Sequence, residues 1–110
     1  MASLKASPLP THRPPTHPGE MLLEEFLKPL NLSQAEAARR LKMPLNRLNE
    51  LIKGKRGITP DTALRLFELF QVSAQFWMNL QADWDLWHAQ QARKQRGELG
   101  AIRPIRRKAS

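Results

Sequence analysis

The chain has 110 residues, 18 Lys and Arg against 10 Asp and Glu, no cysteine, and a hydrophobic fraction of 41%. This length suits one small domain with tails, and the missing cysteines exclude disulfides, a thiolate nucleophile and any cysteine-containing zinc site. No apolar run approaches the ~18 residues of a membrane span, and the opening segment lacks the apolar stretch of a secretory signal, so a cytoplasmic protein with no membrane partner is expected; the net charge of +8 points to a polyanion such as nucleic acid.

Five of the nine prolines fall in the first 18 residues. Proline removes backbone donors and few apolar residues accompany it, so residues 1–16 are predicted to be a disordered arm. His12 and His17 read as solvated side chains, because no further metal ligand stands at a suitable spacing. Pro18 then opens a first helix, with Glu20, Glu24 and Glu25 at the positive end of its dipole. Leu22, Leu23, Phe26, Leu27 and Leu30 form its apolar stripe, and Pro29 stops it near Lys28. Ser33 and Glu36 form a capping box for a second helix reaching about Leu41, thinned by Ala35, Ala37 and Ala38.

Pro44 starts a third helix that ends at Gly54 and buries Leu45, Leu48, Leu51 and Ile52. Thr59-Pro60-Asp61 caps a fourth, running to Phe70 with Ala63, Leu66, Phe67 and Phe70 inward. Ser73 caps a fifth, on which Phe76, Trp77, Leu80, Trp84 and Trp87 share a face until the pattern fades by Ala92. The predicted fold is all-α: a five-helix bundle over residues 17–92 containing a helix-turn-helix, with flexible tails before it and a basic tail over 93–110. Within that tail, 101–105 could form a short strand on a partner's sheet edge.

Charge is segregated along the chain. Residues 39–56 hold seven basic residues and one acid, residues 93–110 again seven and one, while 20–36 and 61–85 each sum to −3. Two short helices on a tight turn, the first thinned by alanines and the second outwardly polar, suit entry into a major groove. Asn46 and Asn49 match adenine edges, and Arg47 can reach guanine or phosphate. Gln34 stands where backbone amides hold a phosphate. With Ser33, Arg39 and Pro44 beside them, and Lys53, Lys55 and Arg56 on flanking phosphates, these residues form the candidate DNA surface. The bland alternative is an ordinary helical hairpin with solvated charges. The parts of an enzyme are missing: no phosphate loop, HExxH or Ser-His-Asp set is present, so no catalytic residue, cofactor or metal is expected. His88 reads as structural or solvated.

His17-Pro18-Gly19-Glu20, Leu32-Ser33-Gln34, Ala37-Ala38-Arg39, Asn46-Arg47-Leu48, the stretch from Gly57 to Leu66 (GITPDTALRL) and Phe76-Trp77-Met78-Asn79-Leu80-Gln81 together resemble HigA-type antitoxins of the Cro/phage-repressor helix-turn-helix class. The chain departs from the pattern at Leu45, where many members carry Arg. The resemblance implies a homodimer that represses its own operon at a pseudo-palindromic operator and neutralises a HigB-type toxin, similar to RelE-fold mRNA-cleaving ribonucleases. Aromatic residues on the fifth helix make Trp77, Leu80, Trp84 and Trp87 candidates for the dimer interface, with Trp84 and Trp87 as its anchors, while Trp77 reads first as core. A ribonuclease that grips RNA is itself basic, so Glu20, Glu24, Glu25, Asp83 and Asp85 are the candidate toxin surface. A free-standing regulator without a toxin, and an interaction module that does not read DNA, are the competing readings.

Overall fold

The computed structural model describes residues 14–106, which form an all-α fold. The expected disorder of residues 1–13 and of the last four residues lies outside the described region. The first helix, α1 (Pro18–Leu22), is capped by His17, whose Nδ1 accepts the amide proton of Gly19 at 2.9 Å. His17 is therefore buried and not solvated, as the sequence had suggested. Pro18 needs no donor in the first turn and presets the helical φ.

Beyond Leu22 the helix widens into a π turn over Leu23–Leu27, where Lys28 N–H reaches back five residues to the carbonyl of Leu23 at 3.0 Å. The wider turn brings Leu22 and Leu27, five residues apart, onto one buried side. Phe26 is placed against Phe70 and Trp77, with ring centroids 5.1 and 5.0 Å away. The continuous α stripe read from the sequence therefore breaks: Leu30, past the stop at Pro29, is exposed.

Helix α2 (Gln34–Leu41) starts at Ser33, whose Oγ accepts from Glu36 N–H at 3.0 Å. Only this half of the capping box forms, because the Glu36 carboxylate is drawn instead to Arg39 and Arg40. Ala37 and Ala38 are buried where α3 (Leu45–Ile52) crosses, whereas Ala35 is exposed. On α3, Leu48 and Leu51 face the core, but Leu45 is 43% exposed, in the helix's first turn at the edge of the buried side. Helix α4 (Pro60–Phe70) is capped by Thr59 and buries Thr62, Ala63 and Leu66. Phe67, expected inside, is 40% exposed, because the helix turns it to the side of Leu64, away from Leu66.

Helix α5 (Ala74–Gln95) runs three residues past the expected end. Its first half supplies Trp77, fully buried at the centre of the core, and its later turns extend beyond the other helices. The long axis of the molecule is accordingly 55 Å against 33 and 23 Å. No helix among the described residues is long and apolar enough to cross a membrane.

Candidate nucleic-acid interface

Three interactions fix the position of α3. At its C-terminal end, Gly19 of α1 sits so close that a Cβ would overlap the carbonyl oxygen of Leu51, so only glycine allows this approach. After it, the turn leading to α4 is held by Gln81 of α5, whose Oε1 accepts from Ile58 N–H at 2.6 Å while its Nε2 donates to Asp85 at 2.9 Å. Before it, α2 ends in a left-handed residue, Lys42 (φ 57°). There Arg65 of α4 donates from one Nη to the carbonyls of both Leu41 and Lys42 at 2.9 Å, satisfying acceptors that a helix end leaves bare. Sequence reading assigned no role to Gln81 or Arg65; both act over more than 20 residues of separation, which a local pattern cannot reveal.

On the scaffold so held, Asn46 is exposed and Asn49 half-buried on the outer side of α3, with Leu45 beside them. Arg47 is placed differently. Its Nη2 donates to Thr62 Oγ1 at 3.0 Å and lies 3.8 Å from Asp61, tying α3 to the first turn of α4. Its side chain stays 31% exposed while making these contacts. Pro44 is the exposed N-cap of α3 and gives no side-chain cap. Ser33 is spent on capping α2, and Gln34, half-buried, follows it at the positive end of that helix.

The positive charge of residues 39–56 divides into two kinds. Arg39 and Arg40 share the Glu36 carboxylate, which these hydrogen bonds hold down to a pKa of about 2. Arg56 pairs with Glu50 at 2.8 Å. Lys42, Lys53 and Lys55 are exposed and make no ion pair among the described residues. The lysines are thus the cations of this stretch left for phosphate; Lys53 and Lys55 follow α3, while Lys42 ends α2 and lines the cleft between α2 and α4.

The remaining candidates spread over α1 and α5. Trp77 is core and presents no surface to a second molecule. Leu80 and Trp87 are half-buried. Trp84 carries the His17 ring edge-on at 4.9 Å and the His88 ring at 4.2 Å. Among the acids, Glu20, Glu25 and Asp83 are exposed, Glu24 pairs with Lys28, and Asp85 and Glu20 both act on His17. Burial lowers the His17 pKa, against the pull of those two carboxylates.

Residues 23–77 match the Helix-turn-helix family model. Virulence-associated protein I of Dichelobacter nodosus is 49% identical over 71% of this chain and 72% of its own length. The HTH-type transcriptional regulator YbaQ of Escherichia coli (strain K12) is 40% identical over 84% and 82%. Among solved structures, Pseudomonas aeruginosa antitoxin HigA with the higBA promoter is 42% identical, with a TM-score of 0.77 over 84% of this chain and 99% of that one. The capped five-helix frame, the outward asparagines of α3 and these matches agree, and the chain belongs to the Cro/phage-repressor helix-turn-helix family, among the HigA-type antitoxins.

Proposed function

We propose that the protein is the antitoxin of a type II toxin–antitoxin module. It binds double-stranded operator DNA as a homodimer, represses its own operon, and neutralises a HigB-type mRNA-cleaving toxin. The observation that carries the DNA part is the outer side of α3, where Asn46 and Asn49 are followed by Lys53 and Lys55, exposed and without an ion pair among the described residues. Asparagine pairs with adenine edges in the major groove, and lysine adds phosphate affinity without base preference. Arg47 acts as a brace between α3 and α4.

Binding measurements on the promoter of its own gene and on random DNA test this assignment. Asn49→Ala should cost on the order of 1–3 kcal/mol on the promoter and little on random sequence. Lys55→Ala should weaken both alike. Equal losses of both kinds for both variants would remove the base-reading role.

The toxin part rests on the acids of α1 and the middle of α5, which leave the basic α2–α3 side free for DNA. Growth rescue of cells expressing the product of an adjacent gene tests it. The name that YbaQ carries, a transcriptional regulator, favours a second reading as a free-standing regulator; repression without rescue would select that reading.

A further inference from the structure

We propose that Leu45 selects a thymine in each operator half-site, by packing on the 5-methyl group that this base alone of the standard four presents in the major groove. The inference rests on the DNA-binding reading above and adds a base that the two asparagines do not read.

The position of the side chain supplies the first argument. Leu45 is the one large apolar side chain that α2 and α3 leave exposed among the described residues, at 43%. Each helical residue stands about 100° round from the last, which puts Asn49 about 40° from Leu45 and Asn46 about 60° beyond Asn49. The three therefore share one arc of α3, and the buried Leu48 and Leu51 occupy another. Arg47 stands about 100° further round than Asn46, and it is tied to Thr62 and Asp61. Lys53 and Lys55 come only after the last turn of the helix.

A reading helix meets base edges with its N-terminal residues, and Leu45 is the first residue of α3. Pro44 before it has no amide proton, and its carbonyl already accepts from Arg47 and Leu48 N–H at 3.1 and 3.2 Å. No backbone group of residue 44 is thus left to bond the base that Leu45 meets.

The chemistry of the groove supplies the second argument. Guanine, cytosine and adenine show only hydrogen-bond donors and acceptors along their major-groove edges, and thymine adds a methyl. Leucine has no partner for a donor or an acceptor. Against guanine or cytosine it would strip water from a polar edge and leave that edge unpaired, which is costly. Against the thymine methyl it buries apolar surface on both sides. The contact is selective although it contains no hydrogen bond. Its place is bounded as well. Residues 45 and 49 are ~6 Å apart along the helix axis, and base pairs stack about 3.4 Å apart. The thymine accordingly falls within about two base pairs of the adenine assigned to Asn49.

The test compares the full-length protein with its Leu45→Ala and Leu45→Met variants. The probe is a duplex that the full-length protein selects from a random pool. Deoxyuridine replaces each thymidine of a half-site in turn, removing the methyl and leaving the base pairing intact. The parent should lose about fourfold in affinity at one position per half-site, the worth of one buried methyl. Leu45→Ala should bind more weakly and lose the uracil penalty at that position. Leu45→Met, which keeps an apolar chain of similar volume, should retain it. The penalty is a ratio within each variant, so a change in folded fraction cancels. The slope of log affinity against log salt should be the same for all three, because no charge changes. A uracil penalty of equal size and place in Leu45→Ala overturns the contact, since another group then reads the methyl. A parent indifferent to every uracil overturns it too, and leaves the DNA reading standing. If the full-length protein selects no duplex, the DNA reading fails and the contact with it.

Discussion

His17 carries two jobs that depend on one ring nitrogen. Its Nδ1 accepts from Gly19 N–H, so that atom must be unprotonated in the folded state, and the ring lies against Trp84. Burial lowers the folded pKa below the ordinary 6.5. The unfolded chain therefore takes up the proton first, and stability is complete above about pH 6.5 and falls as the pH drops toward the folded value. Glu36 loses its contribution only lower, between 4.5 and about 2, so the upper window belongs to His17. Thermal unfolding between about pH 7.5 and 5 should show a falling midpoint for the parent protein and a flatter profile for His17→Asn. Asparagine keeps an oxygen acceptor at the cap without titrating there. Parallel profiles would take His17 out of the acid response. Sequence reading could not reach this residue's role. A histidine after four prolines looks like part of the arm, and only the packing of α5 over α1 shows that Trp84 covers it.

At the scale of elements, the caps and stops were legible because they are local chemistry. Ser33, Thr59 and Ser73 each accept an amide three residues on, and each helix they open lies where the pattern put it. What was not legible is how a helix meets its neighbour. The π turn in the first helix arises from the need to bury Leu22, Phe26 and Leu27 together, and nothing within that segment announces it. The same limit misplaced Leu45 and Phe67, which keep the helical spacing but sit at the edge of the buried arc. It also concealed why residue 19 is glycine. Gly19→Ala should raise intrinsic helix propensity by about 1 kcal/mol, yet the new Cβ would meet the backbone of Leu51, which cannot swing aside as a side chain can. Overpacking of this kind costs about 1–3 kcal/mol or more, so the net effect expected in urea denaturation is destabilisation. Gly54→Ala is the contrast, with open space around its Cβ and only the strain of φ 78°, about 1–2 kcal/mol. A Gly19→Ala variant as stable as the parent would mean that α1 can draw back from α3 without loss.

For the whole molecule, the open question of geometry is what covers the outer half of α5. A helix of 22 residues is about 33 Å long, and its core contributions end at Gln81. Leu80, Trp84 and Trp87 follow one another at spacings of four and three, the seam spacing of paired helices. Leu86 lies round the helix from that seam and is exposed. A two-fold dimer across the seam would set two α3 helices on one side of the molecule, as a pseudo-palindromic operator with half-sites ~10 base pairs apart, or a multiple, requires. Trp84 is a poor residue to change, because its removal would also uncover the His17 cap. Trp87 stands nearly one turn further out along α5, and truncating a tryptophan anchor at an interface centre costs about 2 kcal/mol or more, some 30-fold in dissociation constant. Sedimentation equilibrium should therefore show Trp87→Ala dissociating at higher concentration than the parent, with Leu86→Ala close to the parent. The reverse order would move the interface to the other side of α5, and with it the expected spacing of the operator half-sites.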